Sequence, residues 1–214
     1  MYKYLSSSID WCENNFTLTD YIAETMNTFS AFYFFIICHR IYKKCNKLTR
    51  YIEYQLYNVF LVGLFSIYFH GTLSKLGQLL DEMSIFVLVL VNSVQIITNF
   101  SFNSYTHKKY MSIEYLYLYV LSVLFFMTIY PAYNRFILVF IGSIILIFIN
   151  MAKMSNDFAI SNRLFVLSFI IWTIDIICFL PISIHWIFHI LIAEYIYILA
   201  EYVIKLESKY ISVK

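Results

Sequence analysis

Seven apolar stretches dominate the chain, near residues 25–42, 54–72, 79–100, 113–130, 135–152, 163–181 and 184–206. Each reaches about 18 residues or more, enough for a helix to cross a hydrocarbon layer of about 30 Å. A composition of 61% hydrophobic and 13% charged residues sits far from the roughly 45–50% and 25% of globular chains. Four Gly and two Pro in 214 residues argue against collagen-like, Gly-rich phosphate-cradling and β-barrel designs. The polar interruptions are short, so neighbouring helices must pack as antiparallel hairpins, and there is no internal repeat and no room for a soluble domain. The expected architecture is an all-α integral membrane protein: a seven-transmembrane helix bundle over 25–206, with a tail at 1–24 and another at 207–214.

Charge sets the expected orientation, because cytoplasmic loops carry the excess of Lys and Arg. Of fifteen such residues, twelve fall on one side of the seven spans, among them Arg40, Lys43, Lys44, Lys108, Lys153 and Lys205. Only Lys3, Lys75 and Arg135 fall on the other. The N-terminus is therefore expected on the lumenal or exterior side and the C-terminus in the cytosol. Residues 1–10 lack the apolar core of a cleavable signal, so the first span is expected to act as its own signal. A net charge of +2 gives no nucleic-acid footprint, and no obligate protein partner is evident. Four Cys without a CxxC pair exclude a zinc knuckle, so any metal must be held by His and carboxylates. Asn15-Phe16-Thr17 reads as a glycosylation sequon.

Ionisable groups inside a bilayer carry a penalty of about 2.5–3.5 kcal/mol at mid-span, so each marks a candidate site. Ser66 and His70 are four residues apart and share a helix face at the outer end of the second span. Asp81 follows across the turn between Gly71 and Gly77, and His185 and His189 repeat the spacing at the outer start of the seventh span. All five are expected at one depth on the lumenal side. Three neutral imidazoles plus a water make a tetrahedral catalytic zinc site. The competing reading is that each His bonds a backbone carbonyl or hydroxyl. A third His, a carboxylate and a serine at matching depth favour the metal. His39 and His107 lie in basic flanks and are not expected as ligands. Glu194 points off the zinc face and has no assigned role, and Lys205 is the expected partner of Glu201.

In the tail, Asp10, Glu13, Asn15 and Glu24 crowd hard oxygen donors, which suits Ca²⁺. An acidic flank with no ion explains the same spacing equally well.

Three blocks carry a family resemblance. They are Ile9 to Asn15 (IDWCENN) with Tyr21 to Thr28 (YIAETMNT), Ser66 to Leu73 (SIYFHGTL) with Gln78 to Glu82 (QLLDE), and Trp172 to Asp175 (WTID) with His185 to Leu191 (HWIFHIL). In register across nearly the whole chain, they resemble the alkaline ceramidases, intramembrane amide hydrolases with seven transmembrane helices. The resemblance implies Zn²⁺ on His70, His185 and His189, Asp81 to orient and deprotonate a water, and Ser66 to steady the oxyanion. It implies Ca²⁺ on Asp10, the Trp11 carbonyl, Glu13, Asn15 and Glu24, and a ceramide substrate drawn from the membrane. It also implies an endoplasmic reticulum or Golgi location. Asp175 belongs to the third block, where a role behind the metal ligands and a helix–helix hydrogen bond are equally open. Cys12 and Cys178 both fall on the oxidising lumenal side and can pair, although Cys178 is one residue off the family spacing from Trp172. The short connection from Asp175 to His185, and Phe188 where the family usually has Trp, bear on chain preference rather than on the metal. The alternatives are a receptor of the adiponectin-receptor type, which shares the seven-helix, three-His plan with the opposite orientation, and a catalytically idle lipid-binding relative.

The charge asymmetry predicts that a glycosylation acceptor inserted beside Lys44 stays unmodified in microsomes, while one inserted in the tail is modified. Modification beside Lys44 alone reverses the orientation.

Overall fold

The computed structural model describes residues 6–45, 49–103, 133–134, 137, 156–180 and 182–211. Over these residues the chain is helical, in the order α1 (Thr25–Ala31), α2 (Tyr33–Lys44), α3 (Arg50–Thr72), α4 (Lys75–Asn103), α5 (Asn156–Ile176) and α6 (His185–Ile211). The expected spans at 113–130 and 135–152 lie outside the described residues, apart from Ile137 in the second. Among the described residues, two helical segments, Ile52–Thr72 and His185–Lys205, are long and apolar enough to cross a membrane.

α3 pairs with α4 and α5 with α6 as hairpins, while α1 and α2 pack against α3 and α6. Phe34, Ile37 and Ile41 of α2 interlock with Val59 and Val62 of α3 and with Ala193, Leu199 and Val203 of α6. Gly63 lets α2 and α3 approach closely, since a Cβ there would stand 2.9 Å from Phe34 Cβ. Along the α2–α6 seam Arg40 and Tyr33 both bond Glu194, and Arg40 also lies 3.9 Å over the Tyr197 ring. Lys44 pairs with Glu201 at 2.8 Å. Lys205, the expected partner, adds to the field around Glu201 as well.

The expected single first span is two helices. Ser30 turns its hydroxyl onto the Asn27 carbonyl at 2.9 Å. The ladder then tightens to three-residue steps, with Phe32 N–H on Phe29 O and Phe35 N–H on Phe32 O. The α3–α4 turn is also shorter than the expected Gly71–Gly77 loop. α3 continues to Thr72, Leu73 closes it in the left-handed region, and α4 starts at Lys75. Gly77 lies inside α4, where a Cβ would meet Phe69 Cα at 2.9 Å. α5 stops at Ile176, earlier than the expected 181, because Cys178 turns with positive φ and returns its N–H to the Asp175 carbonyl.

The tail from Ser6 to Glu24 lies across this end of the bundle. Ser7 N–H bonds Leu73 O at 2.9 Å, Ser8 N–H bonds Gln78 Oε1 at 2.7 Å, and Ala23 and Glu24 N–H bond the Gly71 and His70 carbonyls at 3.0 Å. Those carbonyls are among the four that a helix end cannot satisfy itself. Glu13 does the converse for α1, accepting from Met26 and Asn27 N–H at 2.6 and 2.9 Å. Ile9 and Trp11 pack against Phe69, Trp172 and Ile176. A disulfide joins Cys12 to Cys178, with 5.5 Å between their Cα atoms, and bridges 166 positions of sequence.

Because that bridge restrains the tail, Cys12→Ser and Cys178→Ser each lower stability by about 2–4 kcal/mol. In thermal unfolding of detergent-purified protein, reductant lowers the wild-type transition and leaves the double Ser variant unmoved.

Candidate metal centre

Each helix brings its polar group to the tail end for a local reason. The four-residue spacing puts Ser66 and His70 on one face of α3, and His185 and His189 on one face of α6. Asp81 stands in the second turn of α4, beside the α3–α4 turn. Asp175 accepts the Ile184 N–H at 2.6 Å, which fixes the backbone entering α6 immediately before His185.

The structure gathers the three His side chains. All are buried, their ring centroids lie 4.7 to 5.2 Å apart, and one ligating atom from each falls within 4.8 Å of the others. Among the described residues no other trio of His, Cys, Asp and Glu side chains does this. Two of their far nitrogens are tied down. His70 Nδ1 meets Glu24 Oε2 at 2.5 Å, so a carboxylate that can only accept keeps the proton on Nδ1 and frees Nε2. Ser30 Oγ, whose hydrogen goes to Asn27 O, accepts from His189 Nδ1 at 2.8 Å and frees His189 Nε2 in the same way. His185 lies under the Trp11 indole, the rings stacked with centroids 3.6 Å apart, and its Nδ1 is buried with no hydrogen-bond partner among the described residues. Neutral imidazoles held with lone pairs converging are what a divalent, borderline-soft cation requires.

Ser66 Oγ stands 3.5 Å from His189 Nε2. Asp81 is buried, and its Oδ1 has no hydrogen-bond partner among the described residues. Ser66, Asp81, His185 and His189 all line one cavity of about 220 Å³, which continues between α3, α4, α5 and α6. Beyond them its walls are largely apolar, including Val62, Ile85, Leu88 and Ile192.

The five residues implied for calcium are more dispersed. Asn15 donates to both Asp10 carboxylate oxygens, at 3.0 and 3.2 Å, on the exposed side of the tail. Glu13 gives both its oxygens to α1, and burial pushes its carboxyl up while those N–H groups hold it down. Glu24 is fully buried: Oε1 accepts from Trp11 N–H at 3.0 Å, and Oε2 accepts from Asn27 Nδ2 at 3.0 Å as well as meeting His70. Desolvation raises its carboxyl to about 7 against the pull of the Asn27 and Trp11 donors. Glu24 therefore faces the histidine trio as well as the tail.

Sequence reasoning missed Asn27, Ser30 and the Trp11 indole. The first two had a visible signal, since Glu24, Asn27 and Ser30 repeat every three residues into the first apolar stretch. The indole over His185 had none.

A profile of the ceramidase family matches residues 3–212. The chain belongs to the ceramidase family. Human alkaline ceramidase 1 is 44% identical over 93 residues, which are 42% of this chain and 35% of that protein. The Drosophila melanogaster alkaline ceramidase is 40% identical over 84 residues, 37% and 30% of the two chains. An alkaline ceramidase of Saccharomyces cerevisiae is 39% identical over 82 residues, 36% and 25%. The chain thus spans about a third or less of the length of the curated relatives it matches.

The geometry predicts that His70→Ala, His185→Ala and His189→Ala each abolish bound metal, measured by plasma mass spectrometry on purified protein. Glu24→Gln weakens the hold about 10–100-fold in chelator competition, through loss of the oriented His70. Unaltered affinity in Glu24→Gln would show that this carboxylate does not serve the centre.

Proposed function

We propose that the protein is a zinc-dependent membrane amidase that hydrolyses ceramide to a sphingoid base and a free fatty acid. The observation that carries this is the buried histidine trio, with Ser66 and Asp81 beside it, at the mouth of a largely apolar cavity in a chain of the ceramidase family. Seven membrane spans, with the tail lumenal and the C-terminus cytosolic, place that mouth just beneath a membrane surface, where a ceramide amide lies. An endoplasmic reticulum or Golgi membrane suits this orientation.

His70, His185 and His189 would hold Zn²⁺, whose chemistry is to lower the pKa of water from 15.7 to about 7 and to polarise a carbonyl. Around it the chain's own groups do the rest. Asp81 accepts the proton of the attacking water and returns it to the leaving amine nitrogen; the residue lines the cavity, and its buried Oδ1 is committed to no partner among the described residues. Ser66 donates its hydroxyl to the oxygen that gains charge as the amide carbon becomes tetrahedral. Glu24 and Ser30 hold two of the imidazoles in the required tautomer. The apolar walls exclude bulk water and take up alkyl chain.

Asp10, Trp11 through its carbonyl, Glu13, Asn15 and Glu24 form the proposed Ca²⁺ site. The donor types are those a hard cation takes, namely carboxylates, an amide and a backbone carbonyl, carried on one tail segment. An ion there would tighten the tail over His185 through Trp11, giving calcium a supporting rather than a chemical part.

Purified wild-type protein in detergent is expected to release fatty acid from ceramide, more so with Ca²⁺. His185→Ala is expected to release none, and Asp81→Asn to lose about 10²–10⁴-fold in kcat. Equal release by wild type and His185→Ala would assign the activity to a contaminant. No release from folded, zinc-loaded protein would favour the receptor or the idle lipid binder.

A further inference from the structure

The cavity that starts at the histidine trio ends on a polar residue. Along α4 its lining residues Asp81, Ile85, Leu88 and Asn92 recur at helical spacing on one face. Asn92 is buried, and its Oδ1 accepts from Gln55 Nε2 of α3 at 3.1 Å. Gln55 is fully buried, and its Oε1 has no hydrogen-bond partner among the described residues. Between the two ends the wall is mainly apolar, broken by the aromatics Trp172 and Tyr195 and by Glu82, whose two oxygens already accept from Gln78 and Asn134. Ser168, which also lines it, turns its hydroxyl onto the Phe165 carbonyl of its own helix at 2.7 Å.

We propose that Asn92, clamped by Gln55, is the floor of an acyl-chain channel and sets the longest fatty acyl chain the protein hydrolyses. The proposal rests on the ceramidase reading of the site above it. From Asp81 to Asn92 is eleven residues of helix, about 16 Å at 1.5 Å per residue, close to half of a hydrocarbon layer of about 30 Å. One chain lying along a leaflet fills it. Pushing a methyl end further would part the Gln55–Asn92 hydrogen bond and leave both amides unpaired in hydrocarbon. The occupant is the acyl chain because methylenes follow its carbonyl directly. The sphingoid base carries hydroxyls beside the amide, which suit the polar groups at the mouth better than the mainly apolar wall below.

The test measures kcat/KM for ceramides of graded acyl length on a fixed base, and of graded base length on a fixed acyl chain. Asn92→Ala removes three heavy atoms and is expected to raise the ratio of long-chain to short-chain turnover about tenfold or more, with turnover of the short chains retained. Leu88→Phe, one turn nearer the trio on the same face, is expected to shift the ratio the opposite way. Neither variant is expected to change the base-length profile. An unchanged acyl profile in a variant that still hydrolyses ceramide overturns the proposal, as does a shift confined to base length. Should Asn92→Ala fail to fold, Leu88→Phe decides alone on the same criteria. No release by the wild type from any ceramide overturns the hydrolase reading and this proposal with it, whereas an unchanged profile in an active protein overturns this proposal alone.

Discussion

Glu24 has no exposed surface, and three donors from three different segments meet its two oxygens: the Trp11 N–H, the Asn27 amide and His70 Nδ1. A buried carboxylate is tolerable only when its lone pairs are filled, so the residue dictates where the tail, α1 and α3 must be relative to one another. Removing it would leave three buried donors unmatched, each with a penalty of about 1–3 kcal/mol. The tail's course follows from this contact. With Trp11 N–H fixed on Glu24, its indole is carried onto His185, and Cys12, the next residue, is brought to Cys178. The organisation of the histidine cluster thus begins in a segment that contributes none of its three imidazoles.

The break between α1 and α2 belongs to the same logic. A continuous apolar helix would have no reason to turn Ser30 onto its own backbone. Here the hydroxyl gives its hydrogen to Asn27 O and so presents a lone pair to His189 Nδ1. α1 can then follow the polar stripe that serves the centre, while α2 follows the apolar face that packs on α3 and α6. The two needs differ by a small rotation, and the tightened turn at Phe32 absorbs it.

Residues whose signal lies within one helix were legible in the sequence. The spacings of Ser66 with His70 and of His185 with His189 are four-residue repeats on apolar segments, and the chain folds them onto facing helices as such repeats demand. Helix ends were less legible, because they depend on contacts between segments. α5 stops where the Asp175 carbonyl and side chain take the N–H groups of Cys178 and Ile184, and α3 stops where the tail caps it. Composition carries neither fact. The acidic tail shows the limit most clearly. Spacing alone leaves Glu13 and Glu24 open between ion ligands and a bare acidic flank, whereas the fold gives one to the α1 N-terminus and the other to a histidine.

On the proposed reading, chemistry and chain accommodation would share a single helix register. Eleven residues turn an α-helix through three revolutions to within about 20°, so Asp81 and Asn92 of α4 look into the same cavity from opposite ends, as do His185 and Ile196 of α6. Neither helix can rotate to adjust one end without moving the other. If Asp81 is the proposed base, a change that re-aimed it at the water would also swing Asn92 away from Gln55, and a repacked floor would be felt as a twist at the carboxylate. Side-chain volume at the positions between them, Ile85 and Leu88 on α4 and Ile192 on α6, is the variable left free. Chain preference in this scaffold can therefore drift by substitution along the middle of the cavity while the groups at its two ends stay fixed.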